Sequence, residues 1–148
     1  MKLIKTTTMA TLFSGLLLCI TASANNEQGR TTLEIIESRC FTAAQGVKGT
    51  DERNKAIKLC LKAEEAGSLI AQEVLAFLYL KIDHKESAKW IRKAADNGSV
   101  MAQGYVGRNY LYGLGVEKDL QQAKKWLTKA CDNKDQSACD TLKEHNLN

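Results

Sequence analysis

The 148-residue chain contains no proline, two histidines and 6% aromatic residues. Without proline, turns fall to glycine and short polar residues, and long helices meet no breaker. The histidines, His84 and His145, stand alone, so a His-Glu-x-x-His metal helix is excluded. Residues 25–148 also lack Ser-x-x-Lys, Ser-Asp-Asn, Lys-Thr-Gly and Gly-x-Ser-x-Gly, the spacings that set a serine beside its base. The glycine run from Gly104 to Gly115 carries no Gly-Lys-Ser/Thr and so does not form a phosphate loop. His84 is expected in a solvated turn. The expectation is a chain with no catalytic residues, no metal and no cofactor.

Long apolar runs are scarce too. Met9 to Ile20 is too short to span a membrane as a helix, follows Lys2 and Lys5, and precedes Ala22-Ser23-Ala24. That order is the charged, apolar and small-residue sequence of a secretory leader, here cleaved after Ala24. Cys19 invites a lipoprotein reading, but leucines precede it where a small residue is wanted; an uncleaved amino-terminal anchor is the other alternative. No other segment is apolar enough to cross a membrane, so the chain from Asn25 is expected to be periplasmic or secreted. Loss of Lys2 and Lys5 lowers the formal charge from +4 to +2, too weak a field to indicate nucleic acid or membrane as a partner.

What the chain does have is an internal repeat. Displaced by 36 residues, Trp90 falls on Trp126, Lys93-Ala94 on Lys129-Ala130 and Ala102 on Ala138. Displaced by 31, Lys62-Ala63, Gly67-Ser68 and Ala71-Gln72 fall on Lys93-Ala94, Gly98-Ser99 and Ala102-Gln103. Periods of this size mark stacked repeats. The reading is an all-α short solenoid of antiparallel helix pairs, about seven helices, with a capping helix within 30–50 and repeats at 51–86, 87–122 and 123–148, the last truncated. The cap should turn Leu33, Ile36, Cys40 and Ala43/Ala44 inward, and the first repeat Ala56, Leu59, Cys60 and Ala63. Gly67-Ser68 and Gly98-Ser99 should end one helix and cap the next. Gly104 and Gly107, inside a helix, should let neighbours approach closely, and Trp90 and Trp126 should wedge between helices.

Four cysteines follow the leader, an even number in an exported small domain, which reads as two disulfides. In an antiparallel helix pair, facing residues are symmetric about the turn. Cys40 and Cys60 are centred on Thr50, and Cys131 and Cys139 on Asp135, each within a turn-rich stretch, so each pair can clip one hairpin. A zinc site would want closer cysteines or added histidines.

From Trp90 to Asp119 the residues Trp90, Lys93, Ala94, Ala95, Gly98, Ala102, Gln103, Gly107, Tyr110, Gly113, Gly115, Val116 and Asp119 occur in the order and spacing of the Sel1-like repeat. This chain therefore resembles that helical-hairpin relative of the tetratricopeptide repeat over about two-thirds of its length. The first copy departs by having Leu59 for tryptophan and no Gly-x-Gly-Val loop. The stretch Lys129-Ala-Cys-Asp to Ala138-Cys-Asp is similar to the cysteine-rich exported branch, in which a Cys-x7-Cys pair ties two helices. The resemblance implies a non-enzymatic protein-interaction module. One recurrent role there is a periplasmic immunity protein that neutralises a secreted toxin such as a phospholipase effector. Secreted host-interaction factors and envelope assembly factors are the other roles it implies, and weak penicillin binding or β-lactam hydrolysis is the alternative from a different class.

One pattern nominates a partner surface. Lys58 and Lys62, Lys89 and Lys93, and Lys125 and Lys129 occupy the same positions in the first helix of each repeat, spaced i, i+4. Stacked, they would form a ladder able to dock an acidic protein surface; a merely solvated helix face is the plainer reading. The sequence leaves the oligomeric state open.

Overall fold

The structure is a computed structural model that describes residues 31–147. The expected leader at 1–24 and its cleavage site lie outside the described residues. Seven helices follow among those described: α1 (Thr32–Gln45), α2 (Thr50–Glu65), α3 (Leu69–Tyr79), α4 (His84–Asp96), α5 (Val100–Tyr112), α6 (Leu120–Asp132) and α7 (Gln136–Glu144).

Local chemistry sets most of these boundaries. Ser68 and Ser99 accept from the backbone N–H groups of Ala71 and Ala102, at 3.0 and 3.1 Å, and so cap α3 and α5. Asp119 and Asp135 cap α6 and α7 in the same way. Asp83 caps α4, accepting from Glu86 and Lys85, and the bond from the Glu86 N–H is the main reason its carboxyl is held below the usual carboxylate value. This cap corrects one expectation: His84 is not in the turn but is the first residue of α4. The turn before each capped serine needs a left-handed residue, supplied by Gly67 (φ 91°) and Gly98 (φ 99°). Between α6 and α7 the same turn is made by Lys134 at φ 75°, a side chain where the other repeats have none.

Each helix packs chiefly on its neighbours in the chain, with additional contacts between α1 and α3 and between α5 and α7. The interior forms three apolar clusters in succession along the array. Trp90 packs against the first and the second, and Trp126 is buried in the second, so both tryptophans do sit between helices. Cys40, Ala56, Cys60 and Ala63 are fully buried as expected, but Leu59 is only half-buried and its neighbour Ile57 takes the inward position. The inward stripe of α2 runs Ala56, Ile57, Cys60, Ala63, an i, i+1, i+4, i+7 arc that leaves Leu59 on its shoulder.

Both expected disulfides are present, Cys40–Cys60 between α1 and α2 and Cys131–Cys139 between α6 and α7, with Cα separations of 4.6 and 4.8 Å. The close approach at the helix glycines is also present. A Cβ on Gly107 would lie 2.6 Å from Leu127 Cγ, and one on Gly104 would strike the Asp135 carboxylate. The repeats are further joined by buried amides. Gln72 accepts from Asn97 Nδ2 at 3.0 Å and Gln103 from Asn133 Nδ2 at 2.9 Å, so each Ala-Gln pair reaches the turn of the next repeat. A buried amide satisfied across an interface fixes repeat register as well as adding stability.

Candidate interaction surface

The large exposed apolar side chains concentrate on α3 and α5 and the residues just after each of them, with Ile35 and Phe41 of α1 and Leu120 of α6 lying elsewhere. Phe77 (65% exposed) on α3, Leu80 just beyond it, Met101, Tyr105 and Tyr112 on α5, and Leu114 just beyond α5 converge on one groove. Its floor is α4, through Ser87, Ile91 and Ala94. The groove encloses about 500 Å³, within the range of about 300–1,000 Å³ that binding clefts occupy. It lies where α3 and α5 both pack chiefly on α4. An exposed large apolar cluster of this kind, unlike a scattered surface leucine, calls for an explanation.

Few charges border it. Glu73 lies at one edge, its carboxylate taking a hydrogen bond from Ser99 Oγ at 2.5 Å. Arg108 lies at the other; its guanidinium sits 4.8 Å from the Tyr105 ring centroid and donates to Ser137 Oγ at 3.2 Å. At the far end the Tyr112 hydroxyl and His145 Nε2 are 3.0 Å apart. The two histidines thus lie at separate places, His84 exposed at the start of α4 and His145 at the end of α7.

The six lysines read from the sequence are all exposed, on α2, α4 and α6. Two reach across or along repeats. Lys93 Nζ is 2.6 Å from Glu64 of α2 and 5.3 Å from the Trp90 ring centroid, and Lys129 Nζ is 5.0 Å from that of Trp126. Lys89 is engaged by Glu86 at 2.7 Å, which raises its pKa above the usual lysine value. Lys58, Lys62 and Lys125 have no ion pair among the described residues. None of the six lines the α3–α5 groove.

Sequence reasoning missed that groove. Its signal was present: α3 is apolar well beyond what one buried face needs, with Ile70 and Phe77 on positions that a two-sided helix would give to polar residues.

Comparison with known proteins supports the repeat reading. A family model described as "Sel1 repeat" matches residues 42–68, 73–99 and 100–135. These segments frame the repeat one helix earlier than the sequence division did, pairing α3 with α4 and α5 with α6, so that the glycine loop lies within a unit. A Sel1 repeat protein from Oxalobacter formigenes is similar in structure, with a TM-score of 0.61 and 28% identity over 72% of this chain and 46% of that one. The protein c5321, a protective antigen present in uropathogenic Escherichia coli strains, has a TM-score of 0.57 and 34% identity over 71% of this chain and 23% of its own. An Arabidopsis thaliana F-box protein, At1g70590, is 38% identical over 55 residues, which are 35% of this chain and 16% of that protein. The chain thus spans less than half the length of each of these relatives. With three matched segments covering more than half of its residues, and with the helix order, capped turns and inter-repeat amides just described, the chain belongs to the Sel1 repeat family.

Proposed function

We propose that this chain is an exported, non-catalytic protein-interaction module that holds an apolar segment of another exported protein in the α3–α5 groove, and that this partner is a secreted toxin, such as a phospholipase effector, which it neutralises in the periplasm. The observation that carries the reading is the groove itself: six exposed apolar side chains, four on two helices and two just beyond their ends, meet over a third helix. Its border has one acid, Glu73, and one base, Arg108, so an apolar segment fits it better than a charged one. Two disulfides, one clipping each end of the array, support an oxidising compartment. The six-lysine ladder supports steering of an acidic partner toward the array, since exposed charge acts on association rate more than on affinity.

A second reading, a secreted factor that meets host proteins, draws on the likeness to c5321, described as a protective antigen.

The test is capture from periplasmic extract by the oxidised protein and by two variants. Phe77→Ser/Tyr105→Ser alters only exposed groove residues, and should abolish capture while the melting temperature holds. Lys89→Glu/Lys125→Glu should slow association and leave the melting temperature unchanged. The captured protein should be a hydrolase whose activity a stoichiometric amount of this chain suppresses. Undiminished capture by the groove variant would sink the proposed site, and a captured protein with no toxic activity would sink the immunity role.

A further inference from the structure

The two disulfides differ in access to solvent. Cys40 and Cys60 are both 0% exposed, inside the first apolar cluster, whereas Cys131 and Cys139 are each partly exposed. A thiolate must reach a sulfur to attack it, so an exposed bridge is reduced before a buried one. The partly exposed bridge also holds the weaker element. α7 has nine residues, buries Ala138, Thr141 and Leu142, and is fastened to α6 in its first turn by Cys139. A helix this short does not persist on its own propensity.

α7 in turn buttresses one wall of the apolar groove. Ser137 Oγ accepts from Arg108 Nη1 at 3.2 Å, and that guanidinium sits 4.8 Å from the Tyr105 ring centroid. The His145 ring meets Tyr112 edge-on, with 5.7 Å between centroids and Nε2 3.0 Å from the hydroxyl. Lys134, Asp135 and Ser137, at the start of α7, line a cleft of about 380 Å³ together with Met101, Tyr105 and Arg108, which also line the groove. Both exposed tyrosines of α5 thus lean on α7, one near each of its ends.

We propose that Cys131–Cys139 is a redox gate on the apolar groove. Oxidised, it holds α7 against α5 and sets the Tyr105 and Tyr112 wall; reduced, it frees α7 and that wall with it. The reductant is a protein dithiol. One of its thiolates attacks a sulfur of the bridge and displaces the other as a thiolate, which takes up a proton. The second thiol of the dithiol then resolves the mixed disulfide. The bridge gains two electrons and two protons, and the dithiol becomes a disulfide. Cys40–Cys60, buried at the other end, stays closed and keeps α1 on α2. The groove is therefore complete only where the second bridge can form, which ties the holding of an apolar segment to an oxidising compartment. That consequence rests on the groove's role as a binding surface; the gate does not, and neither measurement below uses a partner.

The first measurement treats the oxidised chain with dithiothreitol, quenches with iodoacetamide and locates the alkylated cysteines by peptide mass spectrometry. Cys131 and Cys139 should react at least about tenfold faster than Cys40 and Cys60. The second follows the ring signals of isotope-labelled tyrosines by nuclear magnetic resonance. With the second bridge alone reduced, and in Cys131→Ser/Cys139→Ser, the Tyr105 and Tyr112 signals should shift while that of Tyr79, on α3, holds. Ser137→Ala/His145→Phe keeps the bridge, removes both buttresses and should shift the same two signals. The selectively reduced chain, which folds with its bridge closed, decides the matter if the serine variant fails to fold. Equal reduction rates at the two bridges would overturn the proposal. So would Tyr105 and Tyr112 signals that stay in place once α7 is freed, or a Tyr79 shift as large as theirs, the sign of general unfolding.

Discussion

Replacing Gly107 by alanine sets two well-characterised effects against each other. Gly107 lies within α5, where alanine gains about 0.9 kcal/mol of helix propensity over glycine. The added methyl would sit 2.6 Å from Leu127 Cγ, 2.9 Å from Leu127 Cδ2 and 3.0 Å from Leu127 backbone N. Leu127 is 0% exposed, and one of the three clashing atoms is backbone, so rotation of the side chain alone cannot make room. Overpacking of this kind costs about 1–3 kcal/mol. Packing therefore wins, and Gly107→Ala should destabilise the protein by about 1 kcal/mol net of propensity. Urea unfolding followed by far-ultraviolet circular dichroism should show the midpoint falling by about 0.5–1 M with an unchanged slope. A double-mutant cycle isolates the cause. Leu127→Ala should cost about 2–5 kcal/mol, but in that background Gly107→Ala should become neutral or stabilising by up to about 0.9 kcal/mol, a coupling of about 1–2 kcal/mol. If Gly107→Ala stabilises the wild-type chain, α5 and α6 are not in the contact described and the argument from close packing is wrong.

Two further outcomes follow from the turns and the disulfides. With a sequence separation of 20, Cys40–Cys60 should contribute about 3.3 kcal/mol on the chain-entropy model, against about 2.5 kcal/mol for Cys131–Cys139 with a separation of 8, so alanine pairs should lower the melting temperature more at the first than at the second. Lys134→Gly should raise stability by about 0.5–1 kcal/mol, measured by urea unfolding, because it relieves a left-handed side chain and gives up only part of that gain to unfolded-chain entropy.

What the repeat pattern could reveal was what the copies share. The glycine before each capping serine, the Ala-Gln pair and the recurring tryptophan each align in two of the three copies because each performs the same backbone or packing task there, so they announce helix ends and inward faces. The disulfide pairing was legible for a related reason: symmetry about a turn is a property of spacing, and spacing is visible in a sequence. The shoulder position of Leu59 and the place of His84 were not. The first depends on which of two apolar residues, Ile57 or Leu59, the neighbouring helix covers, and the second on Asp83, a cap that lies outside the repeated Gly-Ser punctuation.

The candidate surface was hidden by the same logic that exposed the fold. A groove between α3 and α5 is made by residues that differ from copy to copy: Phe77 and Leu80 on one wall, Met101, Tyr105 and Tyr112 on the other. Self-alignment discards such positions as noise. Tyr105 is a sharper case, since it falls between Gln103 and Gly107, both of them repeat positions, yet its ring is exposed and lines the groove. The lysines suffered the opposite bias, being noticed because they recur, while Lys93 is already committed to Glu64 and Trp90. In a repeat array, recurrence therefore reports how units stack, and departures from it report what the array can hold. That ordering ranks Phe77 and Tyr105 above the recurring lysines as the residues through which the proposed groove would hold another protein.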